Sequence, residues 1–361
     1  MVRQAILGQH FWAEHVINNL AFPWLLGHAE AQDRMPVVLL SGFLGSGKTT
    51  LVNALLRDPR LFGTAVAINE FGAVPLDHEL IDHGADQTVV LANGCLCCNL
   101  SGDMEQAVMR LFSRRDAQAL PGFARLIIEP SGLSDPAPIA QAILRSPMMA
   151  RVLRLEAIVT TVDAVFALRQ LQRHGEMRKQ IVLADQLVVT KPDLVDAAAL
   201  AHLQAVLRDL NPMAPIRVVR DGGVDAGELL PESFLDLEAP ASRRSLLHAD
   251  TPAEPDHLAQ VRAVSLHAQA PLDWRAFDLW LRGIRTAHAE RLLRVKGMLQ
   301  VSGVAGPVVV QGVHHVLHAP VELPAWPGAE RASRLVLIAE AAVCDEIAAS
   351  WHTALPRLIA A

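Results

Sequence analysis

Short apolar runs alternate with segments of helical spacing between residues 35 and 221. Residues 104–112 and 197–210 have the spacing of helices. Runs that are apolar throughout are typical of strands buried on both faces. They occupy residues 37–40, 65–68, 89–91, 126–128, 157–162 and 187–189. Strands that alternate with helices predict an α/β domain over residues 35–221, with a mostly parallel sheet covered on both faces.

The pattern changes after residue 221. Residues 222–258 are rich in Gly, Pro, Ser and acidic residues and show no sustained period, which predicts a linker. Beyond the linker, consecutive strands without a helix between them predict a smaller α+β domain over residues 259–355. The predicted strands are 261–267, 292–301, 308–317 and 334–338, and the predicted helices are 273–281 and 343–351.

Residues 1–34 precede the first predicted strand. His10, Glu14 and His15 interrupt the region in which a signal peptide would have its apolar segment, so we interpret residues 1–34 as a loosely attached extension. No run of about 18 or more apolar residues occurs, and no membrane-spanning helix is therefore predicted.

Composition narrows the function classes. A chain of 361 residues is long enough for two ordinary domains. The formal net charge of -6 provides no basic footprint, so neither nucleic acid nor a membrane surface is an expected partner. The 4 cysteines are too few for a disulfide scaffold, and three of them cluster. This favours metal or thiol chemistry in a reducing, cytoplasmic compartment.

The turn after the first predicted strand carries a phosphate-binding motif. Residues 42–49 match G-x-x-x-x-G-K-[ST] between a predicted strand and a predicted helix, the context that the motif requires. We expect the glycine N–H groups to surround phosphate oxygens, Lys48 to face solvent and reach the β and γ phosphates, and the Thr49 hydroxyl to bind Mg²⁺. The expected nucleotide contacts are Gly42, Gly45, Ser46, Gly47, Lys48, Thr49 and Thr50.

A second motif follows the apolar run at residues 126–128. Glu129 ends this run, and Pro130-Ser131-Gly132 comes next. Glu129 is expected to hold Mg²⁺ or its water shell, and the Gly132 N–H to meet the γ-phosphate, so that both join Lys48 and Thr49 as catalytic candidates. The alternative is that Glu129 only caps the following turn.

A third motif follows the run at residues 187–189. Thr190-Lys191-Pro192-Asp193 has the [NT]-K-x-D form that reads guanine. Asp193 can accept hydrogen bonds from the guanine N1–H and exocyclic amine together, while the Lys191 stem covers the base plane. The alternative is a strand that leads into a Pro-Asp helix start. The order of the motifs favours GTP as the nucleotide.

Three thiols lie within four residues, at Cys95, Cys97 and Cys98. Thiolates suit Zn²⁺, and also Co²⁺ or Cu⁺, whereas Mg²⁺ prefers the oxygen offered by Thr49. Buried apolar cysteine is one alternative. A disulfide is another, although adjacent Cys97 and Cys98 would close only with strain. The cluster predicts a transition-metal site.

Together these motifs resemble the CobW-type metallochaperone GTPases. GFLGSGKTT, NEFG at residues 69–72, GCLCC, EPSGLSDP and TKPD occur in the order found in that family, and VKG and VQGVHH resemble its smaller domain. The resemblance covers roughly residues 36–352. It implies a SIMIBI-class P-loop GTPase domain with Mg²⁺, a first switch at residues 69–72, and delivery of Zn²⁺ or Co²⁺ to a client metalloprotein. A homodimer is left open.

Two other functions compete with a GTPase that gates metal transfer. One is a metal buffer or sensor in which the nucleotide only stabilises the fold. The other is a small-molecule kinase that uses the same phosphate loop, but it leaves TKPD and the cysteine cluster without a role.

Overall fold

The computed structural model describes residues 33–68, 89–92, 102–220, 261–326 and 331–360, together with residues 25, 31, 223 and 229. Within these residues, seven strands form the sheet of the first domain, in the order β3-β2-β4-β1-β5-β6-β7. Every neighbouring pair is parallel, as the alternating pattern predicts. The strands are β1 (Met35–Gly42), β2 (Thr64–Ile68), β3 (Val89–Ala92), β4 (Arg125–Glu129), β5 (Leu153–Asp163), β6 (Gln186–Thr190) and β7 (Ile216–Val218).

Helices follow most of these strands. They are α1 (Lys48–Leu56), α2 (Gly102–Asp116), α3 (Pro136–Arg145), α4 (Met149–Val152), α5 (Ala167–Arg173), α6 (Gly175–Leu183) and α7 (Ala197–Leu210). The Asp135 carboxylate accepts a hydrogen bond from the Ala137 N–H and caps α3, and Asp196 caps α7 in the same way. Strand β7 and helices α3 to α6 were not among the predicted elements.

The sheet is buried on both faces, as apolar strands require. Val37 and Leu39 of β1 belong to one hydrophobic cluster, and Val38 and Leu40 belong to a cluster on the opposite face. This division follows from the alternation of side chains along a strand. It explains why the first strand is a continuous apolar run rather than an alternating one.

The second domain is an antiparallel sheet with two helices among the described residues. The strand order is β11-β10-β9-β13-β8, and β12 pairs with β10. The strands are β8 (Val261–Ala268), β9 (Leu292–Leu299), β10 (Val308–Val313), β11 (Val316–Leu317), β12 (Val321–Glu322) and β13 (Ser333–Glu340). The helices are α8 (Trp274–Ala287) and α9 (Ala341–Leu358).

The prediction of a single strand over residues 308–317 is wrong. The chain reverses at His314, which has a positive φ of 53°, so Val313 pairs with Val316 in a hairpin. Two adjacent histidines are not among the usual turn residues, and the apolar residues on both sides extend the strand pattern across the turn.

Parts of the N-terminal extension are packed rather than loose. Leu25 is 5% exposed and belongs to the hydrophobic cluster of the second domain, which includes Phe277. Ala31 is buried against Val309 and Val321. The interpretation of the extension as loosely attached is therefore wrong at these two positions. In the described ranges, no helix is long and apolar enough to span a membrane.

A buried charge cluster joins the two domains. Asp185, between α6 and β6, contacts Arg294 and Lys296, which lie on β9. The Lys296 Nζ atom is 2.8 Å from the Asp185 Oδ1 atom, and the Ile158 N–H donates to Asp185 Oδ2 at 2.8 Å. Burial alone would raise the pKa of Asp185, but the two cations and these hydrogen bonds hold that pKa well below its usual range.

Candidate nucleotide site

The loop between β1 and α1 has the backbone shape that phosphate binding requires. Gly45 and Gly47 have φ angles of 74° and 90°, a region that favours glycine. Gly42 has a φ of 145°, and a Cβ atom there would lie 2.1 Å from the Thr161 Oγ1 atom. The three glycines of the motif are therefore required by local geometry.

Helix α1 begins directly behind this loop. Within the described part of the chain, no side chain caps its N-terminus, and its first turn contains no acidic residue. The first N–H groups of a helix have no intrahelical acceptor, and the positive end of the helix dipole favours an anion. The start of α1 is therefore suited to a phosphate group.

The expectation that Lys48 faces solvent is wrong. Lys48 is 8% exposed, and its Nζ atom donates a hydrogen bond to the Gly42 carbonyl at 3.0 Å. An ammonium group that folds back over the loop exchanges water for a carbonyl acceptor, and the aliphatic stem is covered at the same time. The charge remains within the phosphate loop, as phosphate binding requires.

Thr49 and Glu129 meet across the site. The Thr49 hydroxyl donates to the Glu129 carboxylate at 3.2 Å, and Glu129 is 4% exposed at the end of β4. Hydroxyl and carboxylate oxygens are hard ligands of the kind that Mg²⁺ prefers. The structure thus brings together the two residues that the sequence assigned to Mg²⁺, although they are separated by 80 positions.

Gly132 lies directly against the phosphate loop. A Cβ atom at this position would be 2.7 Å from the Leu44 N atom and 3.0 Å from the Lys48 Nζ atom. A larger residue would therefore displace the loop or the lysine. This proximity places the segment after Glu129 beside the position at which Lys48 would meet a γ-phosphate.

Two side chains of the TKPD motif donate hydrogen bonds to the phosphate loop. The Thr190 hydroxyl donates to the Ser46 carbonyl at 2.8 Å. The Lys191 Nζ atom donates to the Gly45 carbonyl at 2.9 Å and to the Asp163 carboxylate at 2.6 Å. Lys191 has a φ of 54°, and Asp193 is exposed in the one-turn helix Pro192–Leu194. Thr50 is exposed on α1.

Sequence reasoning missed several residues that build this site. Asp163 ends β5 and holds Lys191, and Thr161 on the same strand lies 2.6 Å, hydroxyl to hydroxyl, from Ser46. The rule that ligands bind at the carboxyl ends of parallel strands could have identified Asp163. Gln180, which contacts the Gly132 carbonyl, has no sequence pattern that marks it.

The predicted metal ligands Cys95, Cys97 and Cys98 lie outside the described residues, as do residues 69–72. Among the residues that are described, no group of three or more His, Cys, Asp or Glu side chains is placed to hold a metal ion. The adjacent strands are described, and their register places Ala92 beside Ile68, and Ile68 beside Glu129.

A phosphate loop between a strand and a helix, with a Thr-Glu pair and a guanine-type motif at the same sheet edge, defines the chain as a P-loop GTPase. Two family matches specify its type. The CobW/HypB/UreG nucleotide-binding domain matches residues 36–218, and the cobalamin synthesis protein CobW C-terminal domain matches residues 261–355. The chain belongs to the CobW family.

Known relatives span nearly the same length. The zinc chaperone YjiA of Escherichia coli is 31% identical over 316 residues, which cover 87% of this chain and 97% of the relative. The zinc chaperone CobW of Pseudomonas aeruginosa is 28% identical, and the match covers 89% of this chain and 92% of the relative. A crystal structure of Zn(II)-bound YjiA GTPase from E. coli has the same fold, with a TM-score of 0.67 at 24% identity over 89% of this chain and 98% of that chain.

Proposed function

We propose that the chain hydrolyses GTP and uses its nucleotide state to control a Zn²⁺ or Co²⁺ ion held by Cys95, Cys97 and Cys98. The ion is then delivered to a client metalloprotein. The single observation that carries this proposal is the register of β3, β2 and β4, because it places the end of the strand that precedes the cysteine motif two strands from Glu129.

The register of these strands limits the distance between the cysteine motif and Glu129. Ala92 and Glu129 pair with the same residue of β2 from opposite sides, so they lie about 10 Å apart, two strand spacings. Cys95 is three residues beyond Ala92, a length of chain that spans at most about 11 Å. The segment at residues 69–72 leaves the strand between them, which favours a connection between metal and nucleotide.

The described residues have separate tasks in hydrolysis. Lys48 contributes positive charge to the β and γ phosphates, and the α1 N-terminus contributes backbone donors. Gly132, which lies directly against the phosphate loop, meets the γ-phosphate beside Lys48. Thr49 and Glu129 would hold Mg²⁺, directly or through its water shell, and the bound ion would neutralise charge that develops on the phosphate oxygens.

Guanine selection is assigned to Asp193, because its carboxylate accepts from two donors that adenine does not offer together. The hydrogen bonds from Thr190 and Lys191 to the phosphate loop support this assignment, since they fix the start of TKPD relative to that loop. GTP is therefore the proposed substrate.

The proposed metal transfer depends on the number of ligands that the cysteine motif provides. Three thiolates leave the fourth position of a tetrahedral Zn²⁺ or Co²⁺ ion open to water or to a client residue, and an open position permits the ion to be handed on. If GTP tightens metal binding, metal must tighten GTP binding by the same factor, with typical coupling of about 1 to 3 kcal/mol. Reduced thiols and available GTP both fit the proposed cytoplasmic location.

A cobalt titration tests this proposal. Thiolate coordination of Co²⁺ produces charge-transfer absorption, so the wild type should give one thiolate-bound Co²⁺ per chain, with higher affinity when GTP and Mg²⁺ are present. Cys97→Ser combined with Cys98→Ser should abolish the absorption. If the spectrum and its dependence on GTP survive this double substitution, the metal site lies elsewhere and the proposal fails.

Cys344 provides a matched control. It is buried, and burial raises the pKa of its thiol to about 11, which disfavours the thiolate that binds metal. Cys344→Ser should therefore leave the cobalt spectrum unchanged. Measuring GTP turnover in the same titration separates metal transfer from a metal buffer, because a buffer should turn over GTP at the same rate with and without metal.

A further inference from the structure

Gln180 connects helix α6 to the loop that follows β4. Its side chain is 0% exposed, and its Nε2 group donates to the Gly132 carbonyl at 3.1 Å and to the Ser134 carbonyl at 3.0 Å. Both amide hydrogens are therefore used on one short loop. The Oε1 atom is also buried, and it has no hydrogen-bond partner among the described residues.

The loop that Gln180 holds is a tight turn. The Ser134 N–H donates to the Ser131 carbonyl at 2.9 Å and closes a turn over residues 131–134. The Gly132 carbonyl lies within this turn, and the Ser134 carbonyl lies at its end. Gly132 has no side chain to restrict its backbone, and the turn rests against the phosphate loop. The orientation of Gly132 therefore depends on what binds its carbonyl.

A hydrogen bond to its backbone carbonyl also holds Gln180 in place. The Thr160 hydroxyl donates to the Gln180 carbonyl at 3.0 Å, and Thr160 is 0% exposed on β5. The neighbouring Lys179 Nζ atom lies 3.2 Å from the Asp135 Oδ2 atom. Asp135 in turn caps helix α3, which follows the turn. Helix α6 therefore contacts residues 132–135 through the side chains of Lys179 and Gln180, and the Gln180 side chain is fully buried.

We propose that Gln180 is a positioning residue for γ-phosphate recognition. By holding the carbonyls of Gly132 and Ser134, it keeps the turn in the conformation in which the Gly132 N–H faces the γ-phosphate. This inference rests on the proposed function, because it assigns Gly132 to the terminal phosphate of GTP. GDP lacks that phosphate, so Gln180 should contribute to GTP affinity and not to GDP affinity.

Asn211, which directly follows helix α7, offers a matched control because its side chain binds the same helix α6. It is 1% exposed, and its Nδ2 group donates to the carbonyls of Ile181, Val182 and Ala184. These bonds fix the C-terminal end of α6 without a contact to the turn at residues 131–134. Substitutions at Asn211 therefore report the cost of losing a buried amide that holds α6 without contacting the turn.

The experiment compares the affinities of the full-length protein for GDP and for a non-hydrolysable GTP analogue. Gln180→Met keeps the side-chain length but removes both donors, and it should weaken binding of the analogue by about tenfold, the consequence of losing about one hydrogen bond's net free energy. GDP affinity should change by less than about twofold. Asn211→Ala should lower the melting temperature and leave the ratio of the two affinities unchanged.

Gln180→Asn keeps the test valid if Gln180→Met does not fold. The shorter amide is compatible with the polar surroundings but cannot reach both carbonyls, so the affinity ratio should fall by an intermediate amount. Equal losses for GDP and the analogue, or no loss in the folded variants, would overturn the assignment of Gln180. If the wild type itself shows no GTP binding, the proposed function fails instead.

Discussion

Two groups of buried charges behave differently in this protein. At the nucleotide site, Lys48 and Glu129 are almost fully covered, yet they border a loop whose backbone donors are shaped for a phosphate. At the domain interface, Asp185, Arg294 and Lys296 are also covered, but they compensate one another.

The difference lies in what completes each group. Charges that are satisfied by a ligand follow a sequence motif, because the ligand's geometry dictates residue types and spacing. Charges that satisfy one another need only meet in space, and the two partners of Asp185 lie on a different domain. A buried charge is therefore a candidate for binding only when its surroundings leave donors or acceptors for something else.

The largest effect is expected when the interface cluster loses its anion. Asp185→Ala leaves two cations buried without their counter-charge, which should lower the free energy of unfolding by about 3 to 5 kcal/mol. Chemical denaturation measures this value. The control is Asp345→Ala, which removes an exposed partner of Arg262 and should cost about 0 to 1 kcal/mol. Similar losses in both variants would remove the distinction between the two kinds of charge.

The interface cluster also predicts how the stability of the protein depends on pH. Because the pKa of Asp185 is lowered in the folded protein, its contribution is fully present above the unfolded-state value of about 3.9 and is lost as pH falls towards the folded value. Unfolding measured below about pH 4 should therefore show a steeper loss of stability in the wild type than in Asp185→Asn. Parallel curves would contradict the assignment.

At the nucleotide site, Lys48→Ala should weaken GTP binding by about a hundredfold or more, because a charge-assisted contact to phosphate is lost. The fold should survive, since Lys48 donates a hydrogen bond to the Gly42 carbonyl within the phosphate loop. GTP binding, GTP turnover and circular dichroism are measured on the same sample. Unchanged turnover would exclude the proposed phosphate loop mechanism.

Base selection should show an intermediate effect. Asp193→Asn should reduce GTP affinity by about tenfold or more, the range of a hydrogen bond to a charged group, with little change for ATP. Asp196→Asn is the matched control, because Asp196 caps α7 and Asn is an equally good cap. If wild-type protein binds ATP as tightly as GTP in competition, Asp193 does not read the base.

The smallest effect is expected at Asp163. Asp163→Asn keeps an oxygen that can accept from Val165 N–H but removes the charge that faces Lys191, so GTP affinity should fall by about threefold, as for a partly exposed ion pair. Titration with GTP measures the change. A loss as large as that of Lys48→Ala would show that Asp163 has a direct role in binding.

Local patterns predicted the elements that border the nucleotide. The apolar runs at β1, β4 and β6 and the glycines at 42, 45 and 47 are dictated by burial and backbone conformation, which act over a few residues. The hairpin at His314 was missed for a related reason, because its flanking residues continue the apolar pattern while a single residue changes conformation.

The sequence by itself determined the alternation of strands and helices in the first domain, the family, and the motifs that would contact phosphate, magnesium and guanine. Only the tertiary structure decided that Lys48 folds over its loop, that Gln180 reaches Gly132 across 48 positions, and that Asp185 meets Arg294 across 109. Contacts of this kind depend on how distant elements pack. Because many residue pairs satisfy the same hydrogen bond or ion pair, no local pattern identifies which pair a folded chain will use.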